Sequence, residues 1–132
     1  MTPAQKLLVQ SSFALLESAS ENTAAEFYKR LFELDAGLRP LFKTDMSEQG
    51  RKLMQMIGVV VYGLDCFDEV IPLVQALGSR HIGYGVKDQD YETVSNAFLW
   101  TLQKRLDTAF TEEVKEAWIA AFTTVTTLMK TA

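Results

Sequence analysis

Apolar side chains recur along this chain at offsets of three and four, and no stretch alternates apolar and polar residues between hairpin signals. The pattern predicts an all-α protein. Thr2 caps a first helix with Pro3 at its first position; the helix runs to about Ser18 and turns Leu7, Leu8, Leu15 and Leu16 inward. A second begins between Ser20 and Thr23, where Thr23-Ala24-Ala25-Glu26 fits a capping box. It carries Phe27, Tyr28, Leu31 and Phe32 and ends near Asp35. Gly37 and Pro40 then force a short corner ending in Leu41-Phe42, followed by the polar Lys43-Thr44-Asp45.

From about Met46 a third helix reaches Leu64, its inward ridge read as Gln49, Leu53, Met56, Ile57 and Val60. Asp65 to Asp68 form a break. The next helix covers Phe67 to Ile82, with Pro72 tolerated near its start. Gly83 to Asp90 connect it to a helix over Tyr91 to Leu106 that turns Val94, Phe98, Leu99 and Leu102 inward. Thr111, followed by Glu112 and Glu113, opens the last helix, whose apolar stripe is Trp118, Phe122, Val125, Leu128 and Met129. Without a repeat or a linker, six long helices and one corner make a single domain over residues 1–132.

Within that framework one residue stands out. His81 is the only histidine, and it shares a helix face with Val74 and Leu77, so the imidazole points inward. Two readings are open: a core histidine satisfied by a backbone carbonyl, or an axial ligand to a buried cofactor. On periodicity alone the first is the commoner arrangement.

Composition removes other chemistries. Hydrophobic residues make up 48% of the chain and charged ones 23%, the balance of a soluble globular protein. A net charge of -4 leaves no basic footprint for nucleic acid or anionic lipid. The N-terminus has no signal-peptide pattern, and the longest uncharged helical run, Leu53 to Leu64, is too short to span a bilayer. A cytoplasmic protein is expected. Cys66 is alone, so it forms no intramolecular disulfide, and it reads as a small half-buried residue. With one histidine and one cysteine, no zinc site, Cys/His pair or Ser-His-Asp triad stands out. Gly83-Tyr84-Gly85 follows a helix and lacks the third glycine of a phosphate loop.

The order and spacing of several segments tip the balance. Phe27-Tyr28-x-x-Leu31-Phe32, Arg39-Pro40-Leu41-Phe42, Gln49-x-Arg51-Lys52-Leu53-Met54 and Arg80-His81-x-x-Tyr84-Gly85-Val86 are followed by Tyr91, Phe110-Thr111-Glu112-Glu113 and Ala117-Trp118. Together they resemble bacterial single-domain globins and the haem domain of flavohaemoglobins, over nearly the whole chain. The resemblance implies a globin fold, with haem b held non-covalently because Cys-x-x-Cys-His is absent. It implies His81 as the proximal iron ligand, its other ring nitrogen donating to a carbonyl one turn earlier or to a nearby side chain. Phe42 matches the phenylalanine that stacks on the haem; Tyr84, Val86 and Tyr91 match the proximal surroundings, and Lys52 and Arg80 sit where propionates want cations.

On the distal side the resemblance places Tyr28, Gln49 and Leu53. Dioxygen takes on negative charge when it coordinates ferrous iron, so Tyr28 is expected to be the main donor to it and Gln49 a second, more mobile one. Leu53 would limit ligand size and keep water out. No second histidine exists to occupy the sixth iron position, which excludes bis-histidyl ligation within one subunit.

The chain also departs from the family. Flavohaemoglobins carry a glutamate late in the last helix that, with a tyrosine matched here by Tyr91, polarises the proximal histidine; the sequence ends before its position. On this reading neither a flavin or nicotinamide domain nor the output domain of a sensor is expected. The expected function is reversible binding of dioxygen and other diatomic gases such as NO and CO. The alternatives are nitric oxide dioxygenation with an external reductase, or gas sensing through a partner; neither nucleic acid nor membrane is an expected partner.

Overall fold

The computed structural model describes residues 1–42 and 45–130; the polar Lys43 and Thr44 of the predicted corner lie outside the described residues. Six α-helices follow one another: α1 (Pro3–Glu17), α2 (Ser20–Leu34), α3 (Met46–Tyr62), α4 (Phe67–Gly83), α5 (Asp88–Leu106) and α6 (Glu112–Lys130). The predicted corner is a 3-10 segment at Ala36–Leu41, and two further 3-10 segments, Gly63–Cys66 and Asp107–Ala109, appear among the described residues. No strand is present among them.

The helix ends follow local chemistry. Thr2 Oγ1 accepts from the Gln5 amide at 3.1 Å while Gln5 Oε1 accepts from the Thr2 amide at 3.0 Å, a reciprocal capping box before Pro3. Thr111 Oγ1 accepts from the Val114 amide at 3.2 Å and starts α6 as expected. The box expected at Thr23-Glu26 does not form. Helix α2 starts at Ser20, so Thr23 is already helical and its hydroxyl donates back to the Ala19 carbonyl at 2.9 Å. Helix α5 starts earlier than expected, at Asp88, because the Asp90 carboxylate accepts from the Lys87 amide at 2.9 Å; the connector shrinks to residues 84–87.

Helices α1, α2, α5 and α6 enclose the main core, where Phe98 meets Phe27, Trp118 and Phe122 at ring separations of 5.6, 5.7 and 5.6 Å. Trp118 Nε1 donates to Ser12 Oγ at 2.9 Å, satisfying both buried groups across α1 and α6. This pairing selects the face of α1: Val9, Ser12, Phe13 and Leu16 are buried, whereas Leu7 and Leu15, expected inward, are 63% and 60% exposed. Val94 is exposed as well, and Cys66 is exposed rather than half-buried.

Helix α3 is buried along Gly50, Met54 and Val61 rather than along the expected ridge, whose members are partly buried. A Cβ on Gly50 would fall 2.9 Å from the Ala24 Cβ, so α2 and α3 touch where both residues are small. A second, smaller apolar cluster forms between α4 and α6 from Val70, Val74 and Met129, with Leu77, Tyr91, Val125 and Leu128 packed on it.

Candidate functional site

His81 lies near the end of α4, and the position of that end is set by Gly78. A Cβ on Gly78 would lie 2.3 Å from the Met129 carbonyl oxygen, so the α4 and α6 backbones are in direct contact there. The half-buried His81 has Nδ1 2.7 Å from the Leu77 carbonyl oxygen, the partner one turn back that the sequence suggested. A carbonyl only accepts, so Nδ1 carries the hydrogen of this bond, and Nε2 is the ring nitrogen left for a metal. The Tyr84 and Val86 amides donate to the His81 carbonyl at 3.1 and 3.2 Å, closing the helix end.

Leu73, Leu77, His81 and Tyr84 follow one another at offsets of four, four and three, hence along one side of α4. On that side Leu73 is 49% and Tyr84 60% exposed, and the Tyr84 ring stands 5.9 Å from the imidazole. A titratable ring is thus flanked by apolar surface that the protein itself leaves uncovered.

Tyr28 on α2 and Gln49 on α3 form a hydrogen-bonded pair. Close approach at Ala24 and Gly50 brings the two helices near enough for that bond. Burial pushes the Tyr28 hydroxyl up to about 12, with the Gln49 bond pulling the other way. The ring of Tyr28 packs against Phe42 at 5.3 Å and Phe32 at 6.0 Å, and the partly buried Leu53 joins the same apolar cluster. Tyr28, Gln49, Leu53 and Phe42 are therefore assembled together, on a cluster distinct from the one that carries the His81 helix.

The remaining candidates are dispersed. Lys52 is exposed and pairs with Glu48 at 3.7 Å; Arg80 is exposed. Tyr91 packs in the smaller cluster beside Leu77, with the Lys130 ammonium 5.4 Å from its ring centre and 3.8 Å from Asp88. Its hydroxyl is pushed up by burial first, then by Asp88 and Asp90. Sequence reading did not single out Phe32 for the site, although its place four residues after Tyr28 was a visible signal. Gly78 and Lys130 carried no such signal. A cavity of about 800 Å³ runs along the α2–α3 seam; Tyr28, Phe32 and Gly50 line it, while His81, Gln49 and Leu53 do not.

Among the described residues no group of three or more His, Cys, Asp or Glu could hold a metal ion. A lone imidazole with a free Nε2 therefore holds a metal only where a prosthetic ring supplies the other ligands, and the uncovered apolar side of α4 suits a planar ring. The donor set fits haem.

The chain is similar to curated proteins called flavohemoprotein. It is 28% identical to that of Vibrio cholerae over 118 residues, covering 87% of this chain and 30% of the relative. It is 29% identical to that of Pseudomonas aeruginosa over 126 residues, covering 92% and 32%. The chain thus spans about a third of the length of these relatives. The globin family model matches residues 25–129, a stretch that contains Tyr28, Gln49 and His81, and the chain belongs to the globin family of gas-binding haem proteins.

Proposed function

We propose that this globin binds dioxygen reversibly on haem b held by His81, with NO and CO as competing ligands. When bound, haem supplies a ferrous iron that coordinates small gases. His81 would ligate it through Nε2, since Nδ1 is committed to the Leu77 carbonyl; that bond fixes the tautomer and the ring plane. Phe42 would pack on the ring face, Val86 and Tyr91 on the proximal side, and Lys52 and Arg80 would meet the propionates at the rim.

The observation that carries the reading is the Tyr28–Gln49 pair. A phenol oxygen both accepts and donates, so a Tyr28 hydroxyl that accepts from the Gln49 amide would keep its own hydrogen for a further acceptor. With its pKa near 12 the hydroxyl keeps that hydrogen throughout the physiological range. A buried donor that stays protonated favours a ligand that gains negative charge, which points to dioxygen over CO. Leu53, packed on the same apolar cluster as Tyr28, would help keep water from that hydroxyl.

The similarity to flavohemoproteins supports a second reading, nitric oxide dioxygenation: nitric oxide, dioxygen and one electron give nitrate. The electron would come from a separate reductase in the cytoplasm. Absorption spectra of the haemin-loaded protein in ferric, ferrous and oxygenated forms test the first reading, which fails if no stable oxygenated spectrum forms. Sustained nitrate production with a reductase and NADPH tests the second.

A further inference from the structure

An unbroken run of aromatic rings crosses the core. From Tyr28 it passes to Phe27, Phe98 and Trp118 at ring separations of 5.0, 5.6 and 5.7 Å. From Trp118 it continues to Phe13 and Tyr62 at 6.4 and 5.9 Å. Trp118 and Phe13 are buried, whereas Tyr62, the last residue of α3, is 48% exposed. The Tyr62 hydroxyl donates to the Glu17 carboxylate at the end of α1, so the run ends at the surface on a proton acceptor. Tyr28, at the other end, is bonded to the uncharged Gln49.

Tryptophan and tyrosine rings lose an electron to strong oxidants, whereas phenylalanine rings only bridge between them. Losing an electron makes the ring N–H or O–H strongly acidic, so a nearby base decides where the oxidation comes to rest. The Trp118 N–H faces Ser12 Oγ at 2.9 Å, and that hydroxyl is itself engaged with the Leu8 carbonyl at 2.6 Å. Neither group is a base, so oxidised Trp118 keeps its proton and remains a strong oxidant. Tyr62 has a carboxylate ready to take its proton. We propose that Tyr62 is a redox-active tyrosine through which oxidising equivalents leave the core. One electron passes from Tyr62 by way of Phe13 to oxidised Trp118, which returns to its neutral form. The Tyr62 hydroxyl proton moves to Glu17 in the same step, leaving a neutral phenoxyl radical beside a carboxylic acid. A thiolate reaching the exposed ring then gives up one electron and becomes a thiyl radical, and Glu17 returns the proton. The initial oxidant is a peroxide-derived one-electron oxidant at the Tyr28 end of the run; in this alone the inference rests on the proposed gas site.

The test is laser-flash photoionisation of tryptophan in the full chain, followed through the absorption bands of the tryptophan and phenoxyl radicals. The tryptophan radical should decay at the rate at which the phenoxyl radical grows. Trp100→Phe, which leaves Trp118 as the only tryptophan, should show the same growth. Tyr62→Phe should abolish it and prolong the tryptophan radical. Glu17→Gln, which offers the hydroxyl a partner but no base, should slow it about a hundredfold. In a second arm, a nitroso spin trap present when hydrogen peroxide meets the haemin-loaded protein should add at Tyr62. Phenoxyl growth that survives Tyr62→Phe, growth lost in Trp100→Phe, a parent-like rate in Glu17→Gln, or trapping confined to Tyr84 or Tyr91 would overturn the proposal. The flash experiment needs no gas ligand, so its failure leaves the gas-binding reading standing, and a chain that takes up no haemin is still decided by it.

Discussion

The Nδ1 atom of His81 lies 2.7 Å from the carbonyl oxygen of Leu77, one turn earlier on α4. Because the acceptor is backbone, this bond survives any side-chain substitution at Leu77, and it leaves Nε2 as the only ring nitrogen able to ligate a metal. His81→Gly should therefore lose the ordered haem spectrum on addition of haemin and regain it when free imidazole is supplied. A parent-like spectrum without imidazole would show that another residue holds the iron.

Tyr28 should control how long dioxygen stays bound. A hydrogen bond to a charged partner contributes about 1.5–3 kcal/mol, so Tyr28→Phe should raise the oxygen dissociation rate about ten- to a hundredfold. Gln49→Leu should raise it less, since Gln49 is proposed as the second donor. Flash photolysis or stopped-flow displacement by CO measures both, and an unchanged rate in Tyr28→Phe would remove Tyr28 as the donor.

The buried hydroxyl also makes stability depend on pH. Its pKa is about 12 in the folded chain against 10.0 for an ordinary tyrosine. Between those values the unfolded state has released the proton and the folded state retains it, so stability is fully present below pH 10 and falls as pH rises through 12. The loss amounts to about 2–3 kcal/mol, and chemical denaturation at stepped alkaline pH should show a shallower decline for Tyr28→Phe than for the parent.

Two glycines of α4 should respond in opposite directions to alanine. At Gly78 a Cβ collides with the Met129 backbone, so Gly78→Ala should destabilise by about 1–3 kcal/mol and loosen the helix that positions His81. At Gly83 a Cβ meets nothing within 4 Å, so Gly83→Ala should stabilise by about 0.4–1 kcal/mol through the unfolded chain's lost freedom. Denaturant midpoints separate the two, and a stable Gly78→Ala protein would refute the close contact.

Asp107, between α5 and α6, has φ 50 and ψ -113, a conformation costly for any residue with a Cβ. Asp107→Gly should therefore raise the melting temperature, with a gain of about 1 kcal/mol. A lower melting temperature would mean that the carboxylate supports the corner in a way its backbone angles do not reveal.

The sequence by itself determined the six helices and the corner at Gly37 and Pro40, whereas His81, read as pointing inward with Val74, is half-buried on the side of α4 that also carries the exposed Leu73 and Tyr84. The helices and the corner follow from local causes: side-chain periodicity, capping hydroxyls at Thr2 and Thr111, and fixed proline geometry. Only the tertiary structure decided which of two apolar faces each helix would bury. Leu7 and Leu15 are as apolar as Leu8 and Leu16, but the Ser12–Trp118 hydrogen bond turns the other side of α1 inward. Likewise Gly50 and Ala24 draw α3 against α2 along a line that hydrophobicity does not mark, and that contact brings Gln49 to Tyr28. Periodicity reports how apolar a face is, whereas close packing depends on which surfaces fit, and the fit exists only once the partner helix is in place.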